Sequence, residues 1–140
     1  MTSEQARTLK TQFDNHTLPK TQWTHRAHCI VALCYCIDFP LPLAVQKIRN
    51  GIRTYNVSAG GENTDHAGYH ETITLFYISQ IAHYLITTGV HTLTDETLAG
   101  FLQQSFLAKE YLHQFYSHEQ LKSKEARRSW LPPRLTEFIS

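Results

Sequence analysis

The sequence is poor in the residues that mark fibrous, disordered or disulfide-stabilised proteins. Its 140 residues include only six glycines, five prolines and three cysteines. An odd number of cysteines confined to the stretch from Cys29 to Cys36 cannot form a disulfide framework and is typical of a reducing compartment. The low glycine and proline content, with 41% hydrophobic residues, excludes collagen-like and low-complexity chains. These absences indicate an ordinary globular protein.

Long apolar runs and an excess of one charge are also missing. The longest apolar run extends from Cys29 to Ile37, about half of the roughly 20 residues that cross a bilayer. The formal net charge of +1 gives no electrostatic reason to expect nucleic acid or an anionic membrane as a partner. No secretory signal is predicted, because the first residues lack an apolar segment before a small-residue cleavage site. We therefore expect a cytoplasmic protein that binds neither membrane nor nucleic acid.

The spacing of the apolar residues predicts helices along the whole chain and no β-strand. The predicted helices cover residues 3–13, 21 or 24 to 37, 43–58, 69–87, 94–106 with a bend into 111–116, a short one after Ser117, and 124–130. Residues 60–68 are rich in glycine and small polar residues and are predicted to form the longest loop. We expect a single all-α domain over residues 1–140, a bundle of about five to seven helices whose second to fifth helices form the core.

Nine histidines are what the chain has in excess, and two short segments place some of them at helix starts. Residues 23–28 (WTHRAH) and 68–72 (GYHET) each precede a mostly apolar helix. Burying polar groups costs free energy unless they are paired, and imidazole is both the commonest metal ligand and the usual proton shuttle near neutral pH. The two segments therefore predict one site shared between two helix starts.

Our first hypothesis is a metal-assisted hydrolase or lyase. His25 and His28 are three residues apart, so they share a helix face and can reach one ion. His70 lies on the apolar stripe of its helix and is predicted to point inward, whereas Glu71 is rotated by about 100°. The three histidines are the predicted ligands of a zinc, iron or nickel ion, and His70 and Glu71 are the predicted catalytic residues. The HExxH zinc helix is excluded, because Thr74 stands in place of its second histidine.

A second hypothesis is a non-catalytic binding or regulatory protein that holds a small molecule in the same pocket. Arg53, Tyr55 and Asn56 end the third helix beside the predicted loop. Arg53 offers a two-pronged fork for an anionic group. These three residues and Trp23 are the predicted ligand-binding residues. A third alternative is a homo-oligomer whose interface is the aromatic-rich fourth or fifth helix.

Structural roles are also open for the same side chains. His25 and His28 can lie in a first helical turn, with one imidazole bonded to the backbone and the other in solvent. His70 can be a core imidazole that is hydrogen-bonded to Tyr55 or Thr24. The helix macrodipole alone favours an acidic residue in a first turn, so the glutamate of the second segment needs no catalytic role.

The chain resembles a family of small bacterial all-α proteins with similar WTHxxH, GIRxYN and GYHETIT stretches. Here those stretches are residues 23–28, 51–56 and 68–74, and the likeness extends to residues 125–128 and Trp130. That family has no established activity, so the resemblance implies one domain and a common site but no reaction. A looser architectural likeness to metal-dependent bundles of the DinB type implies a metal site by analogy, although the DinB histidine spacing is not reproduced.

Overall fold

A computed structural model describes residues 1–133 of the chain. Within them seven α-helices and three short 3-10 turns follow one another without a β-strand. The helices are α1 Ser3–Asp14, α2 His25–Asp38, α3 Leu41–Ser58, α4 Glu71–Thr88, α5 Asp95–Phe101, α6 His118–Lys122 and α7 Lys124–Arg128. The predicted all-α bundle is therefore confirmed, and residues 134–140 of the predicted domain lie outside the described part. Over the described residues, no helix combines the length and apolarity needed to cross a membrane.

Side chains at the N-terminal ends fix where most of these helices begin. The side chain that precedes the first turn accepts a hydrogen bond from a backbone N–H group of that turn, which has no partner inside the helix. These capping residues are Thr2, Thr24, His70, Thr94, Ser117 and Ser123. Helix α3 instead follows Pro40 and carries Pro42 in its first turn, where a missing N–H costs little.

Helix α2 is the centre of the bundle. Its residues are buried almost without interruption from Ala27 to Tyr35, as its nearly continuous apolar sequence predicts. It packs against α1, α3 and α4. Each large apolar side chain that is fully buried there contributes about 1.5–3 kcal/mol to folding.

Helix α1 belongs to the core. The sequence had predicted a core made by the second to fifth helices only. Its Ala6 and Phe13 are buried, at 0% and 1% exposure. Phe13 stacks on Trp23 with 4.5 Å between ring centroids. A Cβ atom on Gly51 would lie 2.9 Å from the Phe13 ring, so the absence of a side chain there lets α1 approach α3. Two well-placed residues therefore join this otherwise polar helix to the core.

The predicted extents of two later helices were wrong. Helix α5 ends at Phe101 and does not continue to Phe106; the chain then runs through the 3-10 turns Ser105–Leu107 and Tyr111–Gln114. The apolar residues of this segment pack on the core individually, so they need no continuous helix. Helix α7 ends at Arg128 and not at Trp130.

Candidate functional site

A cavity of about 430 Å³ lies between the starts of α2 and α4 and one side of α3. This volume is in the range of small-molecule pockets, about 300–1,000 Å³. The cavity is lined by Trp23, His25, His28, Cys29, Ala32, Ile48, Ile52, Asn56, Gly68, Tyr69, His70, Ile73, Thr74, Tyr77, Ile78 and Lys109. It thus brings together five of the residues singled out from the sequence, namely Trp23, His25, His28, Asn56 and His70.

Within residues 1–133, only one of the two ring nitrogens of His28 has a hydrogen-bond partner. Its Nδ1 donates to the Thr24 carbonyl oxygen at 2.7 Å, and the ring stacks on Trp23 with 3.7 Å between centroids. Burial lowers the pKa of His28 to about 4, so the imidazole is neutral at pH 7. Because Nδ1 carries the proton, Nε2 is an acceptor, and residues 1–133 give it no hydrogen-bond partner. His28 therefore contributes an acceptor to the wall of the cavity.

Trp23 lines the same cavity and carries an unpaired donor. Its indole stacks on His28 and Phe13, which fixes the plane of the ring. Its Nε1 is buried and has no hydrogen-bond partner among the described residues. A buried donor left unpaired costs about 1–3 kcal/mol. An acceptor atom on a bound molecule, or an ordered water, would remove that cost.

His25 joins the cavity to the segment that follows α5. Its Nε2 donates to the Leu107 carbonyl oxygen at 2.9 Å, and its ring meets Tyr77 edge-on at 4.8 Å. Cys29 Sγ lies 3.7 Å from the same nitrogen. Burial lowers the pKa of His25 and raises the pKa of the Cys29 thiol to about 12, so both groups are neutral at pH 7. The pair is therefore a wall contact and not an activated thiolate.

His70 is the N-cap of α4, whereas the sequence placed it inside the helix. It has an extended backbone with φ of −129°, and its Nδ1 accepts from the Ile73 N–H at 3.1 Å. Its Nε2 donates to the Leu121 carbonyl oxygen at 2.7 Å. The inward direction was predicted correctly, since His70 is only 8% exposed. The hydrogen-bond partners suggested for His70 were wrong. Tyr55, one of them, donates instead to the Leu18 carbonyl oxygen.

Glu71 points away from the cavity and is held by an arginine. Both of its carboxylate oxygens accept from Arg49, at 3.0 and 2.7 Å, and one also accepts from the Tyr69 hydroxyl. Burial, reinforced by this bond, raises the pKa of Tyr69 to about 12, so the hydroxyl stays protonated. Tyr69 lines the cavity and Glu71 does not. The predicted catalytic role of Glu71 stays a prediction without geometric support.

Of the other predicted ligand-binding residues, only Asn56 lines the cavity: Arg53 lies beside the loop before α4, and Tyr55 is buried in the core. Arg53 stacks over the Tyr69 ring, with Cζ 4.7 Å from the centroid. Asn56 donates to the side-chain oxygen of Asn63, which also accepts from the Tyr69 N–H, both at 3.0 Å. The loop thus rests on the end of α3. Gly68 is required there, because it has φ of +83° and a Cβ would lie 2.0 Å from the Glu62 carbonyl oxygen.

The arrangement of donors does not fit the predicted three-histidine metal site. Both ring nitrogens of His70 hold backbone partners, so ligation would remove the cap of α4. Within residues 1–133, no group of three or more histidine, cysteine, aspartate or glutamate side chains is placed to hold one ion. The metal site remains a prediction from the sequence.

Several wall residues were missed by sequence reasoning about the site. Ile73, Thr74, Tyr77 and Ile78 follow His70 at helical spacing, so the predicted inward direction of His70 was a signal that could have found them. Lys109 gave no such signal. It reaches the cavity from an irregular segment, whose path depends on tertiary contacts such as the bond from Tyr77 to the Ala108 carbonyl oxygen.

Comparisons of the chain with protein-family models, curated proteins and solved structures gave no significant match. The resemblance noted from the sequence motifs therefore stays a prediction. The functional argument rests on the cavity itself.

Proposed function

We propose that this protein binds a small, largely apolar organic molecule in the cavity between the starts of α2 and α4. The observation that carries the proposal is a mostly apolar cavity lined by His28, a neutral imidazole whose Nε2 has no partner within residues 1–133, and by Trp23, whose indole stacks on it. Pockets for small molecules combine apolar walls with a few fixed polar groups that orient the ligand. A ligand with a hydrogen-bond donor would pair with the free acceptor of His28.

Binding without chemistry is the form of this proposal that the contacts support best. Catalysis by a nucleophile or a general base needs a group whose pKa is tuned toward neutral pH. The thiol of Cys29 has its pKa raised to about 12, and the pKa of His28 is lowered to about 4. Both shifts favour the uncharged form and move away from neutrality. Within the described residues no contact favours a metal-assisted hydrolase or lyase, which stays a prediction from the sequence pattern.

The test uses N-phenyl-1-naphthylamine, a neutral aromatic probe that fluoresces when it leaves water. We expect saturable binding at one site per chain in the wild-type protein. Ala32 lines the cavity and is 6% exposed, so Ala32→Phe should fill the space and weaken binding at least about tenfold. Thr74→Phe, on the opposite helix, should act in the same direction.

The matched control is Ala67→Phe, the same change at an exposed loop position outside the cavity. It should bind the probe as the wild type does. Circular dichroism establishes that each variant is folded, and the two filling variants lie on different helices so that one can replace the other. Unchanged probe affinity in a folded cavity-filling variant would contradict the proposal.

A further inference from the structure

The charges around the cavity are unevenly distributed. No aspartate or glutamate lines it, and Lys109 is its only charged lining residue within the described chain. Glu71 is the carboxylate nearest the Tyr69 hydroxyl, and Arg49 already binds both of its oxygens. Glu110 follows Lys109 in the chain and is exposed, so it offsets the lysine in part. A cationic ligand would find no unpaired carboxylate on the cavity wall.

Arg53 is a cation near the cavity whose side-chain donors have no partner within residues 1–133. Its guanidinium lies over the ring of Tyr69, a wall residue, at 4.7 Å. Arg49, one turn earlier on the same helix, uses its fork on Glu71. The guanidinium of Arg53 has no hydrogen-bond partner within residues 1–133, so its planar donors are available to a carboxylate or sulfonate. Arg53 is exposed and does not itself line the cavity, but this contact holds its guanidinium against Tyr69, which does.

Two further features favour negative charge at this end of the cavity. Arg127 donates to the Gly68 carbonyl oxygen at 3.0 Å, which places another cation behind the loop. The starts of α2 and α4 both lie at the cavity, and the N-terminal end of a helix carries partial positive charge. The end of α3, where Asn56 lines the cavity, contributes the opposite sign, and Arg53 on the same helix offsets it in part.

We infer that the ligand is an organic anion, with an apolar body inside the cavity and an acidic group against the Arg53 guanidinium. This inference rests on the proposed function, because it names the chemical class of the molecule that the cavity binds. It also assigns Arg53 as the residue that distinguishes acids from their neutral analogues. Carboxylates and sulfonates share the required chemistry, a planar or compact oxyanion that accepts from two parallel N–H groups.

The test compares two probes with the same aromatic body. N-phenyl-1-naphthylamine is neutral, and 1-anilinonaphthalene-8-sulfonate carries one negative charge. Wild-type protein should bind the sulfonate about fivefold to tenfold more tightly, the size of a partly exposed charge-assisted contact. The advantage should shrink as salt is added, because exposed charges are screened. Competition between the two probes establishes that they share one site.

Arg53→Gln should remove the sulfonate's advantage and leave the affinity of the neutral probe unchanged. The matched control is Lys47→Gln on the same helix. Lys47 also lies over an aromatic ring, that of Phe39 at 4.9 Å, but Phe39 does not line the cavity. This variant loses the same charge and should keep the advantage.

The outcomes separate the two proposals. Equal or weaker binding of the sulfonate in wild type, or an advantage that survives in Arg53→Gln, would overturn the anion inference and leave the cavity as a binding site. Failure of both probes to bind the wild-type protein would count against the proposed function itself. Loss of the advantage in Arg53→Gln, with retention in Lys47→Gln, supports the inference.

Discussion

The starts of α2 and α4 both bring histidine to the wall of one cavity, but they use its ring nitrogens differently. At α2, His28 Nδ1 donates to the carbonyl oxygen of Thr24, the residue that caps its own helix. Its Nε2 has no hydrogen-bond partner within residues 1–133. At α4, His70 Nδ1 accepts from the Ile73 N–H and so caps the helix. Its Nε2 donates to the carbonyl oxygen of Leu121, which lies 51 positions further along the chain. An imidazole with one unused acceptor can meet a ligand. One with both nitrogens engaged holds the fold together.

The surroundings of the two histidines extend this difference. Thr72, in the first turn of α4, donates toward the Ala126 and Ser129 carbonyl oxygens and accepts from the Leu131 N–H. The start of α4 is therefore a structural junction that ties the C-terminal segment to the core. At the start of α2, the stacked rings of Trp23 and His28 present polar atoms that have no such partners.

The largest effect is expected from His70→Ala. The variant loses an N-cap, worth about 1 kcal/mol, and leaves the buried Leu121 carbonyl oxygen without its donor, which costs about 1–3 kcal/mol more. We expect the free energy of unfolding to fall by about 3 kcal/mol in urea denaturation. His70→Asn should recover part of this loss, because asparagine is a good N-cap.

The control for this variant is His66→Ala, four residues earlier in an exposed part of the loop. It should change stability by no more than about 0.5 kcal/mol. A His70→Ala protein as stable as the wild type, with probe binding lost, would show that the roles of the two helix starts have been assigned the wrong way round.

A smaller effect is expected from the pH dependence of stability. The pKa of His28 is about 4 in the folded chain against an ordinary value of 6.5, so between these values the unfolded chain binds more protons. Stability should therefore fall as pH is lowered from 6.5 toward 4, with a contribution from His28 of about 2 kcal/mol after allowance for its partial exposure. His28→Phe keeps the stack on Trp23 and should remove the His28 contribution to this slope, while the contributions of His25 and His70, whose pKa values are also lowered by burial, remain.

The exposed His83 on α4 provides the matched control, and His83→Phe should keep the wild-type profile. Thermal unfolding followed at several pH values between 4 and 7 measures both variants. A His28→Phe profile that runs parallel to that of the wild type would mean that His28 is not a buried, neutral imidazole.

The smallest effect is expected from Glu71→Gln. The variant replaces the two-pronged ion pair with Arg49 by a neutral contact, and the glutamate side chain is only 13% exposed. We expect a loss of about 1 kcal/mol in unfolding free energy and unchanged affinity for N-phenyl-1-naphthylamine. Glu96→Gln in the first turn of α5, where the acid has no ion-pair partner in the described chain, should cost less. A marked loss of probe binding in Glu71→Gln would move Glu71 into the site.

The fold was largely predictable because its signals are local. Apolar spacing predicted four long helices, and helix starts were predicted at residue 21 or 24, at Thr94 and after Ser117, where the structure has the caps Thr24, Thr94 and Ser117. Phe13 could not be ranked as a core residue, because its burial depends on the approach of α1 to Gly51 in another helix. The helix predicted beyond Phe101 was wrong for a similar reason. The path of this segment depends on contacts with distant residues and not on the spacing of its own apolar residues.

The location of the cavity was more predictable than the role of each residue around it. His25 and His28 at the start of α2 and His70 at the start of α4 all line one cavity. Helix phase could not tell that the last of these is satisfied at both nitrogens, because one partner is the backbone of Leu121. The pairing of Glu71 with Arg49 was hidden in the same way, since it joins two helices that are far apart in sequence.

The most direct test of the division between the two helix starts is imidazole nitrogen NMR of the nine histidines during titration with N-phenyl-1-naphthylamine. We predict that His28 is the neutral tautomer protonated at Nδ1, and that its Nε2 resonance moves as the probe binds. The Nε2 resonance of His70 should keep the signature of a donor bonded to a backbone carbonyl throughout. Movement of the His70 resonance with the His28 resonance unchanged would contradict the account.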